Sequence, residues 1–219
     1  NGGLVVLAAD DPSMHSSQNE QDSRFYAKFA MIPCLEPSNQ QEAYDITRYA
    51  FDLSEQLKTP VLLRVTTRMA HSRAIVETTD EPMAQKPMCL PEDVRRFILL
   101  PAYARKNYAH LVQMQDTFVS ISGQAGWNTY TKGSCPTKGI VTTGIAYNYL
   151  MENYQPQMGY SILKVVQYPL PVDMIQQMVA DGVQEILVME EGQPVVEEMI
   201  RGMVPSTIAI KGRLTGALP

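Results

Sequence analysis

Short apolar runs alternate along this chain with longer segments whose apolar residues recur at helical spacing. Residues 4–9, 31–35 and 61–65 have the length and the β-branched content of buried strands. Residues 24–30, between the first two runs, predict one or two turns of helix. We therefore expect the first third of the chain to mix strands and helices.

An amphipathic helix is predicted between the second and third runs. Apolar residues recur there every three or four positions, which puts them on one helix face: Ala43, Ile46, Ala50, Leu53 and Leu57. Ser38, with Gln41 three residues later, has the capping-box pattern, and Pro60 ends the helix just before it. A strand, a helix and a strand in this order predict a right-handed βαβ unit with parallel strands.

The composition changes after residue 76. Residues 77–91 lack apolar periodicity and contain three prolines, which is typical of a linker. A long helical stretch follows, expected to be broken near Pro101 and to end at Gly123, and residues 124–136 are expected to be weakly structured. Strands are then expected at 139–143, 161–167, 185–189 and 207–210, with helices at 144–154, 171–180 and 194–203. This alternation predicts a small α/β domain of four strands.

The most polar stretch, residues 10–22, directly follows the first predicted strand. Open α/β sheets bind ligands outside the carboxyl ends of their strands, so this loop is a candidate functional site. Its candidate residues combine a group that titrates near neutrality with neutral donors and acceptors: His15, Ser16, Ser17, Gln18 and Asn19. The alternative is a solvated loop that leads into the helix at 24–30, with Asp22 or Ser23 as its cap.

A second polar stretch follows the run at 61–65. Because parallel strands end at the same edge of a sheet, we expect Arg68 and His71 to face the same crevice as His15. The alternative is that Arg68 and Arg73 are surface charges on a departing linker.

Two later strand exits are also polar. Residues 142–144 lead into a helix N-terminus, a geometry that favours an anion, and residues 190–192 contain two adjacent carboxylates. Adjacent residues on a strand point to opposite faces, so a carboxylate pair that shares a proton is not expected. We interpret both segments as turn structure.

Composition and charge exclude several classes of function. The formal charge of −5 argues against a nucleic-acid partner, and no apolar run approaches the ~20 residues that cross a bilayer, so a cytoplasmic protein is expected. The three cysteines, Cys34, Cys89 and Cys135, are too far apart for a C-x-x-C metal motif, and buried reduced thiols are expected. No dinucleotide, P-loop, nucleophile-elbow or zinc motif is present, and no metal ligands are assigned.

Several long runs carry a resemblance to a known family. They are GGLVV and ADDPSMHSSQNEQD near the start, LEPS at 35–38, QEA at 41–43, TPV at 59–61, TTR at 66–68, YPLP at 168–171, EEG at 190–192 and GRLTGALP at 212–219. In these runs the chain resembles the alpha subunit of indolepyruvate ferredoxin oxidoreductases. The resemblance spans nearly the whole chain, with a looser match over residues 78–137.

The resemblance implies an α/β fold in two parts. Residues 1–78 would be the second half of a pyrimidine-type thiamine-diphosphate-binding domain, residues 79–130 a linker and a long helix, and residues 131–219 a transketolase C-terminal-like domain. Because the chain would begin within a domain, an open sheet edge near residue 4 is expected, which predicts association or partial disorder of the isolated chain.

The resemblance also implies a chemistry. Such enzymes oxidatively decarboxylate aryl 2-oxoacids such as indolepyruvate to the acyl-CoA, with thiamine diphosphate, Mg²⁺, [4Fe-4S] clusters, a beta subunit and ferredoxin as the electron acceptor. The glutamate that activates the aminopyrimidine would lie upstream of Asn1, and the diphosphate-binding domain and the cysteine-rich tail downstream of Pro219. The fragment alone is therefore expected to be inactive and to hold none of these cofactors.

Within the fragment the resemblance points to the loop after the first strand. His15 would carry a proton or donate to the substrate carboxylate, and Ser16, Ser17, Gln18 and Asn19 would face the cofactor cleft. Two alternatives stay open: another 2-oxoacid:ferredoxin oxidoreductase, for pyruvate or 2-oxoglutarate, and a non-catalytic α/β interaction module.

Overall fold

The first of two sheets contains the predicted βαβ unit. The computed structural model describes residues 2–82, 87 and 89–219. The strands of the first sheet, in the spatial order β1-β3-β2-β7, are β1 (Val5–Asp10), β3 (Val61–Thr66), β2 (Cys34–Leu35) and β7 (Gln167–Tyr168). β1 and β2 pair parallel with β3, as predicted, and β7 pairs antiparallel with β2.

In the part of the chain that the structure describes, the second sheet has five strands where four were expected. Its spatial order is β4-β6-β5-β8-β9, made by β4 (Thr129–Thr131), β6 (Tyr160–Val165), β5 (Cys135–Thr143), β8 (Glu185–Met189) and β9 (Ala209–Lys211). β4 lies in the segment expected to be weakly structured and pairs antiparallel with β6. The apolar run at 161–167, expected to form one strand, divides between β6 and β7, which belong to different sheets.

Helices flank both sheets, and the predicted α/β fold class is confirmed. They are α1 (Arg24–Ala30), α2 (Gln40–Leu57), α3 (Thr67–His71), α4 (Pro101–Gln113), α5 (Gln115–Gln124), α6 (Ala146–Asn153), α7 (Val172–Ala180) and α8 (Val195–Arg201), with 3₁₀ turns at Val94–Phe97 and Pro156–Met158. The break expected near Pro101 is confirmed: the 3₁₀ turn at Val94–Phe97 ends before it, and Pro101 opens α4, where its missing N–H is not needed. A second break, which was not predicted, lies at Met114. In the described residues, no helix combines the length and the apolar character that a bilayer span requires.

The cap of α2 is shifted by one residue from the predicted box. Asn39 is the N-cap and accepts a hydrogen bond from the Glu42 N–H at 2.8 Å. The Glu42 carboxylate reaches back to the Ser38 N–H at 2.6 Å. The helix ends as predicted, with Lys58 in the left-handed conformation before Pro60.

The central strand β3 of the first sheet is covered on both faces. Leu63 on one face packs in a core with residues of α2 and with Phe118 of α5. Leu62, which points to the other face, belongs to the core that contains the second sheet. The two sheets are therefore packed layers of one structure, and the side chains between them are inaccessible to water.

β1 was expected to be buried, and this was wrong. Leu7 is 64% exposed and Leu4, just before the strand, is 55% exposed. In the described residues β1 pairs only with β3, so it forms the edge of the sheet. A buried strand and an edge strand have the same apolar content, and the sequence therefore does not separate them.

The exposed edge predicts self-association of the 219-residue chain. Leu7→Lys should lower the apparent mass at high protein concentration, because a charge on an edge strand opposes strand pairing between copies. The free energy of unfolding should change by no more than ~0.5 kcal/mol, since the side chain is exposed. Light scattering measures the mass, and Leu214→Lys, at a site 53% exposed outside β1, is the matched control. An equal effect of the two substitutions would contradict the role of the edge.

Candidate functional site

The exits of the parallel strands β1 and β3 are joined by hydrogen bonds. The Thr67 hydroxyl, which follows β3, donates to Asp11 Oδ1 at 2.7 Å and lies 3.1 Å from the Asp10 carbonyl. The loop 11–22 therefore starts at the carboxyl edge of the first sheet, where its side chains were expected.

The Asp11 carboxylate organises the loop. It accepts hydrogen bonds from the backbone N–H groups of Ser16 and Ser17, both at 2.7 Å, and of His15 at 3.2 Å. The Thr67 hydroxyl and these N–H groups stabilise the ionised form and hold the pKa of Asp11 well below its usual range. Ser13 and Met14 adopt left-handed φ values of 65° and 53°, which tighten the turn.

The five candidate residues of the loop divide into two groups. Ser16 Oγ lies 3.3 Å from the Asp11 carboxylate and Ser17 Oγ accepts from Gln21, so both hydroxyls are used inside the loop. The side chains of His15, Gln18 and Asn19 are exposed. Asn19 makes one long contact with the Glu20 carbonyl at 3.4 Å, and no bond to the Gln18 amide is found in the described residues.

Arg68 joins the loop to the second sheet. Its Nε lies 3.4 Å from His15 Nε2 and 3.4 Å from Glu191 Oε1, and its Nη1 donates to the Tyr149 hydroxyl at 3.0 Å. The expectation that Arg68 faces the same crevice as His15 therefore agrees with the structure. His71 ends α3 exposed to solvent, and no hydrogen bond to His15 or Arg68 is found for it where the chain is described.

Two buried arginines lie between the sheets, and sequence reasoning missed both. The side chain of Arg64, in β3, has no exposed surface, and its Nε donates to Asp10 at 2.6 Å. Its Nη1 contacts the Glu36 carboxylate, which also accepts from the Tyr168 hydroxyl at 2.6 Å. A signal was available, because a cation inside the apolar run VLLRVT indicates a buried ion pair.

Arg24, at the start of α1, makes the second set of contacts. It donates from Nε to Asp22 at 2.8 Å and from Nη1 to Glu190 at 2.8 Å. Glu190 also accepts the N–H groups of Val196 and Glu197 at the start of α8. The segment 190–192, interpreted from sequence as turn structure alone, therefore also carries an ion pair to the first sheet.

Two glycines allow the second sheet to approach this network. Gly192, at φ +105°, lies over Asp22 and Arg64, and a Cβ there would come within 2.6 Å of the Asp22 carboxylate. Gly144, at φ +49°, lies against Glu36, and a Cβ there would come within 2.8 Å of Oε1. A larger residue at either position would force the neighbouring carboxylate to shift, and it would have to adopt a positive φ that L side chains rarely adopt.

Burial and pairing shift the pKa values of the network in different directions. Burial raises the pKa of Glu190 above its usual value despite the charge of Arg24. Burial would also raise the pKa of Asp22, but hydrogen bonds and the charge of Arg24 outweigh it, and the pKa is lowered. Burial together with the negative charge of Glu36 raises the pKa of Tyr168. Tyr168 is therefore a neutral donor to Glu36 at physiological pH.

The described residues contain no group of three or more histidine, cysteine or acidic side chains that could hold a metal ion. Three cysteines are too few for the four ligands of a [4Fe-4S] cluster, and burial raises the pKa of Cys34 further above neutrality.

Two cavities lie away from the loop. One of about 310 Å³ lies beside Lys132, Tyr147 and Lys164, and one of about 140 Å³ beside Tyr168 and Met199. We assign the candidate site from the convergence of polar groups, because neither cavity includes the loop.

The network predicts a large loss of stability for Arg64→Met. The substitution leaves Asp10 and Glu36 buried without their cation, which should lower the free energy of unfolding by ~3–5 kcal/mol. Lys132→Met is the matched control, because Lys132 pairs with Asp181 at 2.8 Å but is 58% exposed, and its loss should be at most ~1 kcal/mol. Urea denaturation measures both, and similar losses for the two variants would contradict a special role of the buried pair.

The Asp11 contacts predict a loop that keeps its structure into the acid range. Because the folded-state pKa lies below the ordinary value of 3.8, the stabilisation is present above that value and is lost only as the pH falls towards the folded-state pKa. Asp11→Asn should increase amide hydrogen exchange at residues 15–17 at neutral pH. Asp181→Asn, which removes a carboxylate whose pKa is also lowered but which lies far from the loop, should not. Unchanged exchange in Asp11→Asn would refute the role of the carboxylate.

Comparison with known proteins gives the family context. No family model matches the chain. Over 99% of this chain it is 36% identical to the indolepyruvate oxidoreductase subunit IorA of Methanothermobacter thermautotrophicus. It is 37% identical to the IorA subunit of Thermococcus kodakarensis over 91% of this chain, and 35% identical to that of Archaeoglobus fulgidus over 100%. It spans only 36%, 32% and 35% of these relatives, respectively.

A solved structure has the same fold. The 2-oxoglutarate:ferredoxin oxidoreductase from Magnetococcus marinus superimposes with a TM-score of 0.66, at 13% identity, over 96% of this chain and 45% of that one. The likeness supports the arrangement of two parallel-rich sheets. Over nearly its whole length the chain is similar to the IorA subunits of indolepyruvate oxidoreductases, and it spans about a third of the length of those subunits.

Proposed function

We propose that this chain is part of a cytoplasmic enzyme that oxidatively decarboxylates aryl 2-oxoacids such as indolepyruvate to the acyl-CoA, with ferredoxin as the electron acceptor and a beta subunit as the partner. The observation that carries the proposal is the identity of 35–37% to IorA subunits along nearly the whole chain. The chain spans about a third of those subunits, and the activity is proposed for the complete enzyme.

The two-part organisation belongs to the same proposal. Residues 1–78 are the second half of a pyrimidine-type domain that contacts thiamine diphosphate. Residues 131–219 form a transketolase C-terminal-like domain, and residues 79–130 are a linker and a long helix between the two. The two parallel-rich sheets support this division. β7 crosses it, because Gln167–Tyr168 pairs with the first sheet.

The residues of the loop fit one end of thiamine diphosphate and not the other. The exposed amides of Gln18 and Asn19 can donate to and accept from an aminopyrimidine ring. The Asp11 carboxylate is already occupied by five donors, and the described residues offer no cluster for Mg²⁺. When bound, the cofactor supplies the stabilisation of the carbanion. We assign the Mg²⁺ and diphosphate contacts, and the [4Fe-4S] clusters, to other parts of the enzyme.

His15 is the residue of this loop that is suited to carry a proton. Its Nε2 lies 3.4 Å from Nε of the Arg68 guanidinium, which has only donors, so Nε2 is the acceptor of this contact. An exposed imidazole can take up a proton from a neighbouring group and return it. Ser16 and Ser17 shape the backbone that presents the imidazole.

A closely related alternative is a 2-oxoacid:ferredoxin oxidoreductase for pyruvate or 2-oxoglutarate. The likeness to the Magnetococcus marinus enzyme favours it, but at 13% identity that likeness concerns the fold. Steady-state assays of the complete enzyme with indolepyruvate, pyruvate and 2-oxoglutarate separate the two.

Substitution of the loop tests its role in the complete enzyme. His15→Ala should lower kcat by ~10²-fold or more, as expected for the loss of a proton-transfer group. Asn19→Ala should weaken thiamine diphosphate binding by ~3–10-fold, as expected for one neutral hydrogen bond. Turnover measures the first effect and equilibrium dialysis the second. If both variants matched the wild-type enzyme in turnover and cofactor affinity, the loop would not line the site.

A further inference from the structure

We propose that Arg68 binds the carboxylate of the 2-oxoacid substrate, an inference that rests on the proposed function and deepens it. Arg68 lies in α3, directly after β3, and beside it lies the loop that follows β1. Tyr149 of α6 and Glu191, which follows β8, approach it from the second sheet. Strand exits from both sheets thus converge on one guanidinium whose side chain is 46% exposed.

The hydrogen bonds of Arg68 leave one edge of its guanidinium available. A guanidinium has five N–H donors in a rigid fork. The Nε–H points towards Glu191 and His15, and one Nη1–H goes to the Tyr149 hydroxyl. For the three remaining N–H groups, one on Nη1 and two on Nη2, the described part of the chain provides no partner. They form the Nη1–Nη2 edge, and such an edge binds a carboxylate through two parallel hydrogen bonds.

Contacts with the second sheet hold this arginine in place before any ligand arrives. The guanidinium lies over the Tyr149 ring, with its central carbon 5.6 Å from the ring centroid, and the Glu191 side chain beside it is nine-tenths buried. An arginine fixed in this way loses little conformational freedom when it binds an anion. Arg24 and Arg64 cannot bind the substrate carboxylate, because both are buried and already paired with carboxylates of the protein.

The charges around Arg68 are compatible with an anionic ligand. Glu191 approaches from the Nε side at 3.4 Å, opposite the available edge, and it partly offsets the cation. Its other carboxylate oxygen, Oε2, is buried without a hydrogen-bond partner in the described residues. A substrate carboxylate on Arg68 would lie close to His15, the proposed proton carrier. This assigns carboxylate binding, one of two roles expected for His15, to its neighbour.

The test measures binding of two compounds that differ in the charge of one group, using the complete enzyme. Indole-3-propionate carries the carboxylate, and indole-3-propionamide replaces it with a neutral amide. Arg68→Ala should weaken binding of the acid by ~10- to 100-fold, the range for charge-assisted hydrogen bonds, and leave binding of the amide unchanged. Arg68→Lys should retain part of the affinity, because a point charge replaces the fork. Arg73→Ala removes an exposed cation nearby and should bind both compounds like the wild-type enzyme.

Kinetics separate this inference from the proposed function. The KM for indolepyruvate should rise with the loss of acid binding in Arg68→Ala, with a much smaller change in kcat. Equal weakening of the acid and the amide, or no weakening of either, overturns the inference, and the same comparison is made with Arg68→Lys if Arg68→Ala does not assemble. A wild-type enzyme that oxidises no aryl 2-oxoacid overturns the proposed function instead, whatever the variants bind.

Discussion

The burial of two guanidinium groups between the sheets is the interaction on which the rest of this structure depends. A guanidinium cannot lose its proton at physiological pH, so its burial is tolerated only where carboxylates surround it closely. Arg24 and Arg64 meet Asp10, Asp22, Glu36 and Glu190, which come from widely separated parts of the chain. A shift of one layer against the other would leave buried charges without their partners, so the network opposes other arrangements of the layers.

The network contains more acidic than basic groups, and neutral donors compensate for the difference. Glu36 accepts from the Tyr168 hydroxyl, and Asp10 accepts from the Ser23 N–H at 2.7 Å and its hydroxyl at 2.5 Å. Glu190 accepts two backbone N–H groups of α8. Even so, burial raises the pKa of Glu190, because the loss of water around this carboxylate opposes its ionisation.

Glu191 connects this network to the candidate site. Its backbone carbonyl accepts from both Arg24 and Arg64 at 3.2 Å, while its side chain contacts Arg68. The position of Arg68 relative to His15 is thus determined by ion pairs inside the molecule and not by the exposed loop alone. This arrangement gives a surface arginine the fixed orientation that recognition of a planar anion requires.

Local patterns in the sequence predicted the parts of the fold that depend on local forces. The spacing along α2 and the parallel pairing of β1 with β3 follow from periodicity and connection rules, and the strand exits correctly indicated that Arg68 meets His15. The buried pair of Arg24 and Glu190 joins residues 166 positions apart, and no local pattern reports such a contact. Tyr149 was missed for the same reason.

The short strand β7 has a consequence for how the polypeptide can be divided. After β6 ends at Val165, the chain crosses with Val166 alone from one layer to the other, and Tyr168 then supplies both a backbone partner for Cys34 and a hydroxyl for Glu36. The proposed domain boundary near residue 131 therefore does not separate the two sheets completely, because β7 comes from one side of it and pairs on the other. If the polypeptide were split at that boundary, the amino-terminal half would lose an edge strand of its own sheet, and the other half would have to supply that strand in trans.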